Sequence, residues 1–320
     1  MAHSARKGGG QAEGISLAAL LEPALLERLR EHSWPDRPWF GRPTATRRAA
    51  IERLPELRDL STLLKTPGAY LSAISPEFRS DQVQDRGLKI ARARRLHADG
   101  WSLTVGGLHE VVPALGNLLG ELAATFDLPS GGVFGRHRCI AYASPPGEAL
   151  ACHFDPSANF VLQLRGRKRW RIAENRTVKD PVDVYSTQLP PEQTGRLATY
   201  CAVGHLPRRM PGHARSIVAS PGSFMFLPRG YWHETKALGE SLSVHFVLHQ
   251  PTWADVWTEA VSDRLVRYTK WRAPASGLWS SDPSIRRRAA VRLKAVAAGW
   301  TEELRSMSAG EAAAEILKRC

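Results

Sequence analysis

The first organised pattern of apolar positions begins at Leu17. Ser16 stands as an N-cap before Leu17, Leu20 and Leu21, and Pro23 opens a second turn carrying Leu25, Leu26 and Leu29, so the pattern predicts an amphipathic helical start. The polar, glycine-rich residues 1–14 predict a disordered N-terminus. Residues 15–100 then form a mixed region in which WPDRPWFGRP at 34–43 is too rich in proline and aromatics for a helix. WSLTV at 101–105 reads as a short strand.

From about Val133 to Gln250 the texture changes to short β-like runs broken by Gly/Pro turns: RCIAYASPPG, NFVLQLRGRKRWRI, SIVASPGSFMFLPRG and SLSVHFVL. Short strands with frequent turns predict an antiparallel sandwich or barrel. After Pro251 the period becomes helical again. Trp253, Val256, Trp257 and Ala260 fall at i, i+3, i+4 and i+7, and Asp282-Pro283 opens a helix striped by Ile285, Ala289, Leu293, Val296 and Trp300. The chain thus divides into a helical and mixed region over 15–100, a β core over 101–250 and a helical region over 251–320, with no internal repeat.

Composition changes this picture little. A 320-residue chain with 43% hydrophobic residues fills a sizeable core. The net charge of +13 is spread as +5, +4 and +4 over residues 1–100, 101–250 and 251–320, so it is a dispersed charge. Arg286, Arg287 and Arg288 read as a solvated helix face before they read as a nucleic-acid patch. A nucleic-acid partner stays open; it would require basic residues gathered at a pocket mouth beside stacking aromatics. No run approaches the roughly 18 apolar residues of a membrane helix, and the N-terminus lacks the apolar stretch of a signal peptide. Cys139, Cys152, Cys201 and Cys320 form no CxxC pair and no zinc-type spacing. A cytoplasmic protein in a reducing compartment is the expectation.

The chemistry concentrates in ACHFDPSANFVLQLRGRKRW, residues 151–170. Alternate side chains of a strand point the same way, so His153 and Asp155 can reach one point. A third ligand comes from GSFMFLPRGYWHE, where His233 lies 80 residues beyond His153. Two histidines and one carboxylate form the facial triad of non-haem Fe(II) oxygenases. A lone HxD arises often by chance, and a single histidine before a turn is commonly a surface residue. Here the pair has company: Asn159 shares the strand parity of His153, and Lys168 sits on the return arm of the LRGRK hairpin.

With these motifs, AYASPPG included, the stretch from about Trp101 to Gln250 resembles the JmjC-type cupin oxygenases and, among them, the ribosomal oxygenases. The resemblance implies a mainly β core, a double-stranded β-helix (the cupin/JmjC jelly roll), flanked by helical N- and C-terminal elements. It implies Fe(II) held by His153, Asp155 and His233, and 2-oxoglutarate whose far carboxylate meets Lys168 and Tyr142. Ser243 matches a polar position on the strand after the distal histidine, and Asn159 joins the expected cofactor-binding set. Ile140 departs from the family pattern, standing where ribosomal oxygenases tend to carry asparagine. The implied activity is a 2-oxoglutarate-dependent dioxygenase hydroxylating a protein or peptide side chain. The same machinery serves tRNA hydroxylation or N-methyl demethylation in relatives, and a non-catalytic, ligand-binding cupin is the rival of another class. The helices of 251–320 match the place of the dimerising helices of ribosomal oxygenases, which implies a homodimer.

A cation at Lys168 inside a barrel is costly unless an anion meets it, and a dicarboxylate supplies one. Arg165, Arg167, Arg169 and Arg171 alternate with Lys168 and Trp170, so they line the solvent face while Lys168 points inward. Arg138 and Arg229 are the next candidates for the carboxylate. His245 and His249 fall on the closing strand and its exit, where a hydrogen-bonded structural histidine is commoner than a substrate contact.

Overall fold

The computed structural model describes residues 15–75, 87–147, 149–188, 195–306 and 308–317. The expectation of disorder over 1–14 lies outside the described residues. Two units are distinguished, residues 1–250 and 251–320.

In the first unit twelve strands are described: β1 (Trp39–Gly41), β2 (Tyr70–Ile74), β3 (Ser102–Gly106), β4 (Arg138–Ser144), β5 (Ala149–Phe154), β6 (Ala158–Arg165), β7 (Lys168–Ala173), β8 (Tyr185–Ser186), β9 (Arg215–Ala219), β10 (Phe224–Leu227), β11 (Trp232–Ala237) and β12 (Ser241–Leu248). They form a seven-stranded sheet, β1-β10-β6-β12-β4-β3-β2, and a five-stranded sheet, β8-β5-β11-β7-β9. Every paired neighbour is antiparallel. This is the double-stranded β-helix expected from the sequence, and the larger sheet also takes β1 and β2 from the N-terminal region.

Burial explains why β6 and β12 read as continuous apolar runs. Alternate residues Phe160, Leu162 and Leu164 pack with Leu20, Leu29, Leu115 and Leu118 of the N-terminal helices. Val161, Met225 and Leu227 face the other way and meet Trp170, Ile172 and Ala219 of the smaller sheet. Strands covered on both faces lose the polar half of their alternation. An aromatic cluster fastens the helical side: Phe160 lies 4.9 Å from Phe226 and 5.0 Å from Phe126, and Trp34 stands 4.5 Å from Phe126. Truncating Phe160 to Ala at this depth costs about 3–5 kcal/mol.

β7 keeps its alternation because its outer face is open. Lys168, Trp170 and Ile172 are buried, whereas Arg169 and Arg171 are exposed. The β6–β7 turn requires Gly166, whose φ is +64° and where a Cβ would run into the Glu240 carbonyl. That close approach sets the register that sends Lys168 inward.

Between β7 and β9 the chain builds its own small core. Val178, Tyr185, Leu197, Leu206 and Met210 cover Cys152, Phe154, Ala173 and Trp232 on the outer face of the smaller sheet.

The second unit is helical, with helices at Trp253–Leu265, Thr269–Arg272, Pro283–Ser306 and Ala309–Leu317. Thr252 and Asp255 close a reciprocal cap at its start, each side chain accepting the other's backbone N–H. Trp271 packs edge-on against Trp300 at 5.9 Å, while Trp253 and Trp279 are 81% and 85% exposed. Among the described residues no helix is long and apolar enough to cross a membrane.

Candidate metal centre

β5 and β11 place His153 directly opposite His233, with a register irregularity immediately after His233. The ring centroids are 4.0 Å apart. Each imidazole donates its Nδ1 hydrogen to the carbonyl two residues before it: His153 to Ala151 at 2.6 Å, His233 to Tyr231 at 3.0 Å. A carbonyl can only accept, so both rings carry hydrogen on Nδ1 and offer Nε2 as the ligand atom.

Asp155 follows β5, and its carbonyl accepts from Gly230 N at 2.9 Å. Its Oδ2 lies 3.6 Å from His233 Nε2 and accepts a long bond, 3.5 Å, from the Asn159 amide. One ligand atom from each of His153, Asp155 and His233 falls within 4.8 Å of the other two. Two imidazoles and one carboxylate oriented by second partners fit a non-haem Fe(II) ion and leave coordination positions open.

The electrostatics agree with metal binding. Burial, then the neighbouring His153, pushes the His233 imidazole down to about 4 against the opposing pull of Asp155, so at neutral pH it is the unprotonated ligand form. Burial, with Asp155 adding to it, pushes the Tyr142 hydroxyl up to about 12, which keeps it a donor. His245 is held well below its ordinary value by burial first, then by Lys168, His233 and His153.

These groups line a cavity of about 370 Å³. Tyr142, His153, Asp155, Asn159, Trp170, His233 and His245 form its wall, and Arg138, Asp183 and Val184 contribute further lining. Lys168 lies beyond that wall, 1% exposed, donating from Nζ to Ser144 Oγ at 3.1 Å. Ser243 is also fully buried, 3.2 Å from His245 Nε2.

Of the sequence-predicted residues, five reach the cavity directly and two, Lys168 and Ser243, stand beyond it. Arg138 lines the cavity. Arg229 is committed elsewhere: its guanidinium donates to the carbonyls of Pro181 (2.9 Å), Asp180 (3.3 Å) and Gln250 (3.3 Å). His249 donates its backbone N–H to His137 Nδ1. The arginines of β7 point away from the cavity, on the outer face of the smaller sheet. Sequence reasoning missed Ser144, Asp183 and Val184. Ser144 shares the strand parity of Tyr142 and was findable that way; the other two sit in an aperiodic loop that gives no signal.

Residues 133–256 match the family model for the JmjC domain. Among curated proteins, the chain is 26% identical over 259 residues to the protein named YxbC of Bacillus subtilis, a match covering 80% of this chain and 77% of that one. It is 28% identical over 169 residues to human ribosomal oxygenase 1, covering 51% of this chain and 24% of the human protein, so it spans about a quarter of that relative. Among solved structures, that of YcfD, described as a ribosomal oxygenase from Escherichia coli, aligns with a TM-score of 0.49 at 16% identity, covering 84% of this chain and 65% of the other.

Proposed function

We propose that this chain, which carries a JmjC domain over residues 133–256, is an Fe(II)- and 2-oxoglutarate-dependent hydroxylase of a protein or peptide side chain. The observation that carries the reading is the cross-strand His153–His233 pair with Asp155 beside it, at the wall of one cavity. His153, Asp155 and His233 would hold the iron. Bound there with 2-oxoglutarate, iron supplies the oxidising chemistry that turns 2-oxoglutarate and O2 into succinate and CO2 and leaves one oxygen atom as hydroxyl on the substrate.

The chain's own contribution is placement. Lys168 gives the far carboxylate a charge-assisted partner, and Tyr142 gives it a hydroxyl that stays protonated. Asn159 orients the Asp155 carboxylate. Trp170, stacked 6.0 Å from the His233 ring, closes one wall with apolar surface and excludes water. A protein or peptide substrate accords with the name of the human relative, ribosomal oxygenase 1. The unpaired cysteines Cys139, Cys152 and Cys201 suit a cytoplasmic, reducing setting. The exposed Trp253 and Trp279 favour a homodimer built through the helical unit.

Succinate measurement tests the reading. Anaerobically loaded Fe(II) protein given 2-oxoglutarate and then O2 should form succinate, faster when a peptide fraction of cell extract is added. No succinate above a metal-free control, with iron demonstrably bound, would overturn it.

A further inference from the structure

His245 stands on β12, 8% exposed, in the cavity wall. Its ring packs tilted against Tyr142 at 4.3 Å and Trp170 at 5.8 Å, and Ser243 Oγ lies 3.2 Å from its Nε2. The same cavity wall carries His153, Asp155 and His233, so the imidazole faces the space beside the candidate metal ligands. A buried imidazole that serves packing alone has both nitrogens satisfied by protein. Among the described residues, the hydrogen-bond partner of this ring is Ser243, which leaves Nδ1 to meet a ligand.

We infer that His245 is a cosubstrate-binding residue: with Nε2 accepting from the Ser243 hydroxyl, Nδ1–H donates to a carboxylate of the 2-oxoacid held in the cavity beside His153, Asp155 and His233. A neutral ring has one donor and one acceptor nitrogen, so the Ser243 hydroxyl, by donating to Nε2, fixes the hydrogen on Nδ1, the form an anion requires. Ser243 is then a positioning residue acting through the ring, and not itself a contact to the cosubstrate. This rests on the 2-oxoglutarate reading proposed above.

The test uses full-length protein carrying Mn(II) in place of iron, with 2-oxoglutarate binding followed by tryptophan fluorescence, since the Trp170 ring lies 5.8 Å from His245 and 6.0 Å from His233. Mn(II) binding is measured separately without 2-oxoglutarate. His245→Leu should weaken 2-oxoglutarate binding by about tenfold or more, the scale of a lost hydrogen bond to a charged group, and leave Mn(II) affinity unchanged. His245→Asn, which keeps an N–H donor, should retain most of the affinity. In the wild-type protein loaded with Zn(II), 15N NMR should show His245 carrying hydrogen on Nδ1 before and after 2-oxoglutarate is added, with the Nδ1–H proton signal moving downfield on addition. A folded His245→Leu variant with wild-type 2-oxoglutarate affinity, or a ring signal indifferent to 2-oxoglutarate that does bind, overturns the inference alone. Wild-type protein that binds Mn(II) and no 2-oxoglutarate overturns the cosubstrate reading itself, and this inference with it.

Discussion

His153 and His233 are direct partners in the antiparallel pair of β5 and β11, so the candidate metal site is a property of sheet register. A slip of one residue in either strand would turn that strand's histidine to the opposite face. Loss of either ligand should therefore remove the site without unfolding the sheet. His153→Ala and His233→Ala should each lower Fe(II) affinity by more than the roughly 10–100-fold that loss of an orienting partner costs, and Asn159→Ala should fall within that range. Anaerobic iron titration checks the ordering. Wild-type affinity in either histidine variant would sink the assignment.

The depressed His233 also makes a prediction about pH. Its folded value, about 4, lies below the ordinary histidine value, so between the two the unfolded chain binds more protons than the folded one. Stability of the metal-free protein should then be fully present above about pH 6.5 and be lost as pH falls toward 4, by on the order of 3 kcal/mol from this group. Thermal unfolding across that window, compared with His233→Asn, checks it: the variant's curve should be flatter. An equally steep curve in the variant would assign the acid sensitivity to other groups.

Lys168→Ala should raise the 2-oxoglutarate requirement by roughly tenfold to a hundredfold, since a charge-assisted bond to a carboxylate is worth about 1.5–3 kcal/mol. Tyr142→Phe removes a neutral donor and should cost less. Succinate formation against 2-oxoglutarate concentration measures both. If Lys168→Ala left the requirement unchanged, the carboxylate contact would move to Arg138 on the cavity wall, since Arg229 is spent on three carbonyls.

Light scattering at micromolar concentration tests the assembly. Two tryptophans more than four-fifths exposed are poor company for water, so the protein should run as a dimer and Trp253→Glu should shift it toward monomer. A mass of 35.3 kDa for the wild-type chain would refute the dimer.

The parts of the site legible in the sequence are those governed by strand parity. The inward turn of His153 on β5 and of Lys168 on β7 follows from a period of two, Lys168 alternating with exposed arginines, whereas Asp155 lies past the end of β5 and Asn159 on β6, so the parity that suggested them does not run unbroken through the chain. The partner strand of β5 was not legible by period: the sequence nominated His233 as a third ligand, but pairing across 80 residues leaves no local trace that would set it opposite His153. The place of His245 was hidden for a different reason. β12 is buried along its whole length, so its polar residues do not stand out as a face, and a histidine there reads as packing until its neighbours are known. The loop that brings Asp183 to the cavity carries no period at all.

That loop belongs to the segment between β7 and β9, which packs through apolar residues of its own on the back of the smaller sheet, while His153 and His233 sit on β5 and β11. The two are knit together beside the candidate site: Ser186 of β8 is the register partner of His153, Thr187 N–H donates to the Cys152 carbonyl, and Tyr185 packs against Phe154 and Trp232. The segment is consequently a brace for the strand that carries His153 as well as a rim of the cavity. Changes within it should disturb the cavity entrance and the His153 strand together, so the two cannot be altered independently.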